Sequence, residues 1–274
     1  MDYFLYRNGS LYAEDVAVAD IAAAVGTPFY VYSTATLLRH FKLFDDALAD
    51  MDHLICYAMK AASNQAIIKT LAQAGAGMDV VSGGEYARAK AAGVSTDRIV
   101  FSGVGKTVDE ITTALKGGIR QFNVESEPEM VVLNRVAGEM GVIAPITVRV
   151  NPDVDAKTHA KIATGMSENK FGIPISRARK VYETAGAMPH LDVIGIDVHI
   201  GSQLTDLAPF ASMKFNISLI TSSDFLKSVV ENNAEISMQQ VAELRAFLKY
   251  LEADEMLKVR QGQFAKWLTG NEEI

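Results

Sequence analysis

A single cysteine, Cys56, stands in the 274-residue sequence, which excludes an internal disulfide and a cysteine-built metal cluster and fits a reducing compartment. It lies in an apolar stretch, so a buried core thiol is the expected state. Lysine and arginine total 26 against 33 acidic residues, a net charge of -7, and no basic run could neutralise a phosphate backbone. Nucleic acid is therefore not an expected partner. The first residues lack an apolar leader core, and every later apolar run breaks well short of the roughly 20 residues that span a bilayer. No membrane association is expected, and the chain reads as cytoplasmic. Two nucleotide-binding signatures are missing as well. No strand is followed by G-x-G-x-x-G, and the run Gly103-Val104-Gly105-Lys106-Thr107 lacks the upstream glycine that a phosphate loop requires.

What is present is ample apolar material, 49% of residues, arranged in a repeating unit. From residue 53 to 200 a short apolar strand, a polar or glycine-bearing turn and an amphipathic helix recur. Six strands are predicted: His53–Ala58, Met78–Val81, Arg98–Ser102, Gln121–Val124, Ile146–Val150 and Val193–Ile200. Ser63 is expected to cap the first intervening helix, and Thr107 with Glu110 and Ser126 with Glu129 read as capping boxes. Gly93, Gly117 and Gly141 stand where a left-handed helix end is wanted, and Pro128 falls in a first helical turn. Alternation at this even spacing predicts an α/β fold with a parallel sheet, a (β/α)8 TIM-type barrel with six strands readable, rather than an open doubly wound sheet.

In such barrels chemistry gathers just past the C-terminal ends of the strands. Lys60 follows the first predicted strand and His199 closes the sixth. Each alone is more often a surface lysine or a satisfied structural histidine, but the topology brings both to one mouth beside the turn Gly201-Ser202, which can offer donors to a phosphate. The run from Asp153 to Ile173, with Lys157, His159, Lys161 and Lys170, is long for such a connection and reads as a lid or a solvated loop.

The runs Tyr57-Ala58-Met59-Lys60-Ala61, Asp79-Val80-Val81-Ser82-Gly83-Gly84-Glu85, Phe101-Ser102-Gly103-Val104-Gly105-Lys106-Thr107, Arg149-Val150-Asn151-Pro152, Lys170-Phe171-Gly172 and His199-Ile200-Gly201-Ser202-Gln203 stand in an order and spacing that resemble diaminopimelate decarboxylase. The resemblance covers residues 1 to 210, with 1–30 as an N-terminal extension. It implies a fold-type III barrel of the alanine-racemase kind, pyridoxal 5'-phosphate as cofactor, and decarboxylation of meso-diaminopimelate to lysine by a homodimer. Lys60 would carry the cofactor in the barrel mouth, where burial is expected. His199 would stack on its ring, Ser202 would help hold its phosphate, and Asp79 and Arg149 would support the lysine and the pocket wall. Both could equally be buried ion-pair partners.

Residues 211–274 do not match that pattern. They read as a mainly helical tail in place of the family's β-rich second domain: one strand from Phe215 to Thr221, a short helix capped by Ser223, and a long helix from Ser237 whose stripe is Val241, Leu244, Phe247, Leu248 and Leu251. That mismatch keeps open an alternative, a catalytically impaired or inactive pyridoxal-phosphate-binding barrel protein.

Overall fold

The computed structural model describes residues 3–50, 52–154 and 171–201. Ser202, the basic residues of the expected lid, the boundary near residue 210 and the helical tail lie outside the described residues.

The chain begins with a small antiparallel sheet, β1 (Phe4–Arg7), β2 (Ser10–Ala13) and β3 (Val16–Ala17), followed by α1 (Val18–Val25) and α2 (Thr34–Ala47). The repeating part then runs β4 (Cys56–Ala58), α3 (Gln65–Gln73), β5 (Gly77–Val80), α4 (Gly83–Ala91), β6 (Ile99–Phe101), α5 (Val108–Gly117), β7 (Gln121–Val124), α6 (Glu127–Met140) and β8 (Ala144–Asn151). After it come β9 (Ile173–Pro174), α7 (Ile175–Gly186) and β10 (Leu191–Asp197). All six predicted strands are present, and they pair in parallel in the order β4-β5-β6-β7-β8-β10, with β9 attached to β8. Strand order follows chain order without reversal. This is the winding of a (β/α)8 barrel, since a doubly wound sheet would turn back on itself.

Local signals set most helix ends. Thr107 and Glu110 form the expected capping box, and Ser126 accepts from the Glu129 N–H. The Glu129 carboxylate, however, accepts from the Glu125 N–H at 3.0 Å, one residue outside a standard box. Asn64 rather than Ser63 caps α3, because its side-chain oxygen reaches the Ala66 N–H at 2.9 Å. Gly117 stays helical and its neighbour Gly118 takes the left-handed turn at φ 71°. A side chain at 117 would collide with the Tyr86 hydroxyl, so each of the two glycines is needed for a different reason.

Side chains alternate across the sheet with the period of two that a strand imposes. Met78 and Val80, Ile99 and Phe101, Phe122 and Val124, and Ile146 and Val148 are buried on one face, in a single core with α3 through α7. Phe101 and Phe122 stack there at 5.9 Å between ring centres. The opposite set is largely polar, with Asp79, Gln121, Asn123, Thr147, Arg149 and Asp197 beside the apolar Val100. At the last strand pair the register shifts between Val193 and Gly195, and the buried Tyr182 hydroxyl donates to both sides of that irregularity, to the carbonyls of Val148 at 3.3 Å and Gly195 at 3.1 Å.

Among the described residues the Tyr86 hydroxyl is a buried side-chain polar atom without a hydrogen-bond partner. Removing an unsatisfied buried hydroxyl relieves a desolvation cost of roughly 1–3 kcal/mol while keeping the ring in place. Tyr86→Phe is therefore expected to stabilise the fold by about 1 kcal/mol, read as a higher urea midpoint with an unchanged slope.

Candidate active site

The polar face of the sheet opens at the strand ends where Lys60, Asp79, Arg149 and His199 come together. Lys60 lies in the turn after β4. In the β4–β5 register Ala58 pairs with Asp79, and the Met59 N–H donates to the Asp79 carbonyl at 3.0 Å, so Lys60 follows one residue after that bond, close enough for its charge to act on Asp79. Lys60 is exposed rather than buried as expected, because the turn carries it clear of the strand. Asp79 is half-buried, and its pKa is pushed up to about 6, first by burial and further by Asp197 and Glu85. A hydrogen bond from Ser102 and the Lys60 charge oppose that rise. His199, two residues beyond β10, is pushed down to about 4, first by burial and then by the charges of Arg149 and Lys60. The site thus holds a neutral imidazole at neutral pH. β4 and β10 are the two ends of the strand order, so for Lys60 to act on His199 the sheet must curl until its ends face one another.

Arg149 is anchored from behind. Its Nη1 donates to Glu125 Oε2 at 2.9 Å, with only 12% and 2% of the two side chains exposed, and the other Glu125 oxygen accepts from the Gly103 N–H at 3.0 Å. The guanidinium also lies 5.5 Å from the Phe171 ring centre. Gly172, at φ 79°, lets the returning chain pass close by, since a Cβ there would stand 3.1 Å from the Arg149 carbonyl oxygen. A second buried pair lies one layer out. Lys106 Nζ donates to Glu129 Oε1 at 2.7 Å, to the Gly103 carbonyl at 2.6 Å and to the Asn123 carbonyl at 2.8 Å. All three ammonium donors are used and the side chain is fully buried, so Lys106 is a structural pin with no hydrogen left for a phosphate.

Of the five residues singled out from the sequence, four are linked electrostatically, Lys60 acting on Asp79 and on His199 and Arg149 on His199; Ser202 lies outside the described residues. Sequence reasoning missed Ser102, Asn123, Glu125 and Asp197. For Asn123 a signal was present in the alternation: Gln-Phe-Asn-Val in β7 and Ile-Thr-Val-Arg-Val-Asn in β8 place polar residues at every second position of strands that helices cover on one side.

The chain has known relatives. Residues 34–246 match the family model described as "Pyridoxal-dependent decarboxylase, pyridoxal binding domain", and the chain belongs to that family. Within it the likeness is to diaminopimelate decarboxylases. That of Vibrio cholerae serotype O1 is 59% identical over 211 residues, covering 77% of this chain and 51% of that protein. That of Pseudomonas aeruginosa is 54% identical over 210 residues, again 77% of this chain and 51% of that one. The chain thus spans about half the length of the curated relatives it matches. Among solved structures, diaminopimelate decarboxylase from M. jannaschii in co-complex with L-lysine superposes with a TM-score of 0.76 at 32% identity, over 91% of this chain and 63% of that one. The enzyme from Helicobacter pylori complexed with L-lysine gives 0.74 at 34%, over 84% and 63%. A lysine decarboxylase from Selenomonas ruminantium, 22% identical with a TM-score of 0.65 over 80% of this chain and 53% of that one, shares the fold.

Two measurements test this electrostatic picture. His199 has a folded pKa of about 4 against an ordinary 6.5, so acidification through that window protonates the unfolded chain first and stability falls. Asp79 has a folded pKa of about 6 against 3.8; its contribution is fully present below 3.8 and lost as pH rises through 6. The two slopes oppose each other. His199→Gln is expected to abolish the acid-side loss and Asp79→Asn the loss toward neutrality, in urea midpoints followed from pH 4 to 7. Separately, Lys106→Met strands Glu129 and is expected to cost about 3–5 kcal/mol, most of it recovered in the double variant with Glu129→Leu.

Proposed function

We propose that this chain provides the cofactor-bearing half of a pyridoxal-phosphate-dependent decarboxylase acting on meso-diaminopimelate to yield lysine. The observation that carries the reading is the meeting of an exposed lysine, Lys60, with a half-buried carboxylate, Asp79, and an imidazole kept neutral by its surroundings, His199, at one end of a parallel sheet. The donor set fits the cofactor: a primary amine free to reach a carbonyl, a flat ring carrying no charge, and a guanidinium already compensated by Glu125. When bound, pyridoxal phosphate supplies an electron sink for the bond to the departing carboxyl group.

This chain's own residues hold and orient. Lys60 Nζ is the group that would hold the cofactor. Asp79, beside it, provides the carboxylate against which a proton on Lys60 can be held or released. His199 offers a flat face to the ring without adding a positive charge that would compete for electrons. Arg149 is held by Glu125 beside the site, and Ser202 would offer a hydroxyl to the phosphate. The amino-acid substrate, a cytoplasmic setting and a homodimeric assembly with neither nucleic acid nor membrane as partner complete the proposal. No helix among the described residues is long and apolar enough to cross a membrane. Nothing observed favours a catalytically impaired chain.

The test is to mix the purified chain with pyridoxal phosphate, reduce with borohydride and map the adduct by mass spectrometry. A single adduct on the Lys60 peptide, lost in Lys60→Ala, is expected, followed by release of carbon dioxide from meso-diaminopimelate. Absence of the adduct, or its scatter over surface lysines, overturns the proposal.

A further inference from the structure

We infer that Ser102 and Asn123 are positioning residues which, through one directed chain of hydrogen bonds across four strands, hold the Asp79 carboxylate facing Lys60. The inference rests on the reading of Lys60 as the cofactor lysine, but its geometry stands on its own. At the far end, Gln121 Nε2 and Thr147 Oγ1 both donate to Asn123 Oδ1, at 2.7 and 2.8 Å. These two donors fix the amide, because the reverse orientation would set N–H against N–H. The Asn123 Nδ2 is thereby turned to Ser102 and donates to its Oγ at 2.9 Å. With its oxygen accepting there, Ser102 directs its single proton forward, to Asp79 Oδ1 at 2.6 Å. Each bond thus decides the direction of the next, and the chain ends on an acceptor.

A chain that ends in a donated proton favours an acceptor with a lone pair to spare, and a carboxylate provides it better than a carboxylic acid. The groups acting on Asp79 are otherwise divided. Burial, Asp197 and Glu85 press it toward the neutral form, Lys60 toward the charged one, and the thiol of Cys56 lies near it on β4. Ser102 is the hydroxyl that weighs on the charged side. Gln121, Asn123 and Thr147 are buried, so rotating any one of them would leave a polar group unsatisfied. The carboxylate is held by a scaffold that resists reorientation. Lys60 lies in an exposed turn, and among the described residues Asp79 is the member of the pair held by a buried hydrogen-bond chain.

The experiment uses the full 274-residue chain without cofactor, labelled with carboxyl-13C aspartate, the Asp79 resonance being the one absent from Asp79→Asn. The wild-type carboxyl is expected to titrate with a midpoint of about 6. In Ser102→Ala the midpoint is expected to rise by about one pH unit, a tenfold tighter hold on the proton, and Ser102→Thr is expected to restore it by returning the hydroxyl. A midpoint unmoved by Ser102→Ala, or moved equally by Ser102→Thr, overturns the inference. Should Ser102→Ala fail to fold, the wild-type chain decides: a Ser102 hydroxyl proton slow to exchange above the Asp79 midpoint and fast below it supports the chain, and one fast at every pH overturns it. Borohydride trapping with pyridoxal phosphate on the same samples separates the two claims. A shifted midpoint without a Lys60 adduct removes the cofactor reading and leaves the positioning role; an adduct with an unmoved midpoint does the reverse.

Discussion

The structure depends on one constraint: a parallel sheet covered by helices on one side carries polar side chains on the other, and each must find a partner among its neighbours. In most sheets of this kind both faces are apolar and the question does not arise. Here Asn123, Thr147, Gln121, Glu125 and Asp197 are all buried; Gln121 bonds to Asn123 within β7, while Asn123, Thr147 and Glu125 are bonded across to neighbouring strand-helix units. The partners are separated by 21 to 24 residues, the length of one strand-helix unit, so each bond ties a position in one unit to its equivalent in the next. The repeat that builds the sheet also builds the network across it.

From that arrangement the electrostatics of the mouth follow. Burial acts in opposite directions on an acid and a base, raising Asp79 and lowering His199, so both move toward their neutral forms. Among the described residues two buried ion pairs, Arg149 with Glu125 and Lys106 with Glu129, are matched at hydrogen-bonding distance. Lys60, by contrast, lies exposed in the turn after β4.

How much could be read from the sequence depended on distance along the chain. The capping box at Thr107 and Glu110 spans three residues and was legible; so were the strands, whose apolar runs are local. Where two adjacent residues could serve equally, as with Ser63 and Asn64 or Gly117 and Gly118, local pattern chose the wrong member, because the decision lay in the reach of a side chain or in the Tyr86 ring packed from another helix. Lys60, Asp79, Arg149 and His199 were identified by strand-end position together with family resemblance. Ser102, Asn123 and Glu125 were not, since their meaning comes from partners a full repeat away. The exposure of Lys60 was also missed, because strand position says where a residue emerges and not how far the following turn carries it.

Cys56 is buried on β4, and burial together with the nearby Asp79 pushes its thiol up to about 12. As a thiolate is the species that reacts, the native thiol is inert toward alkylating reagents at neutral pH. With no other cysteine in the sequence, the chain is already a background-free host for site-directed labelling. One cysteine introduced at the rim of the mouth would take up a fluorophore or spin label alone, and could report occupancy of the pocket without any change to the native residues that form it.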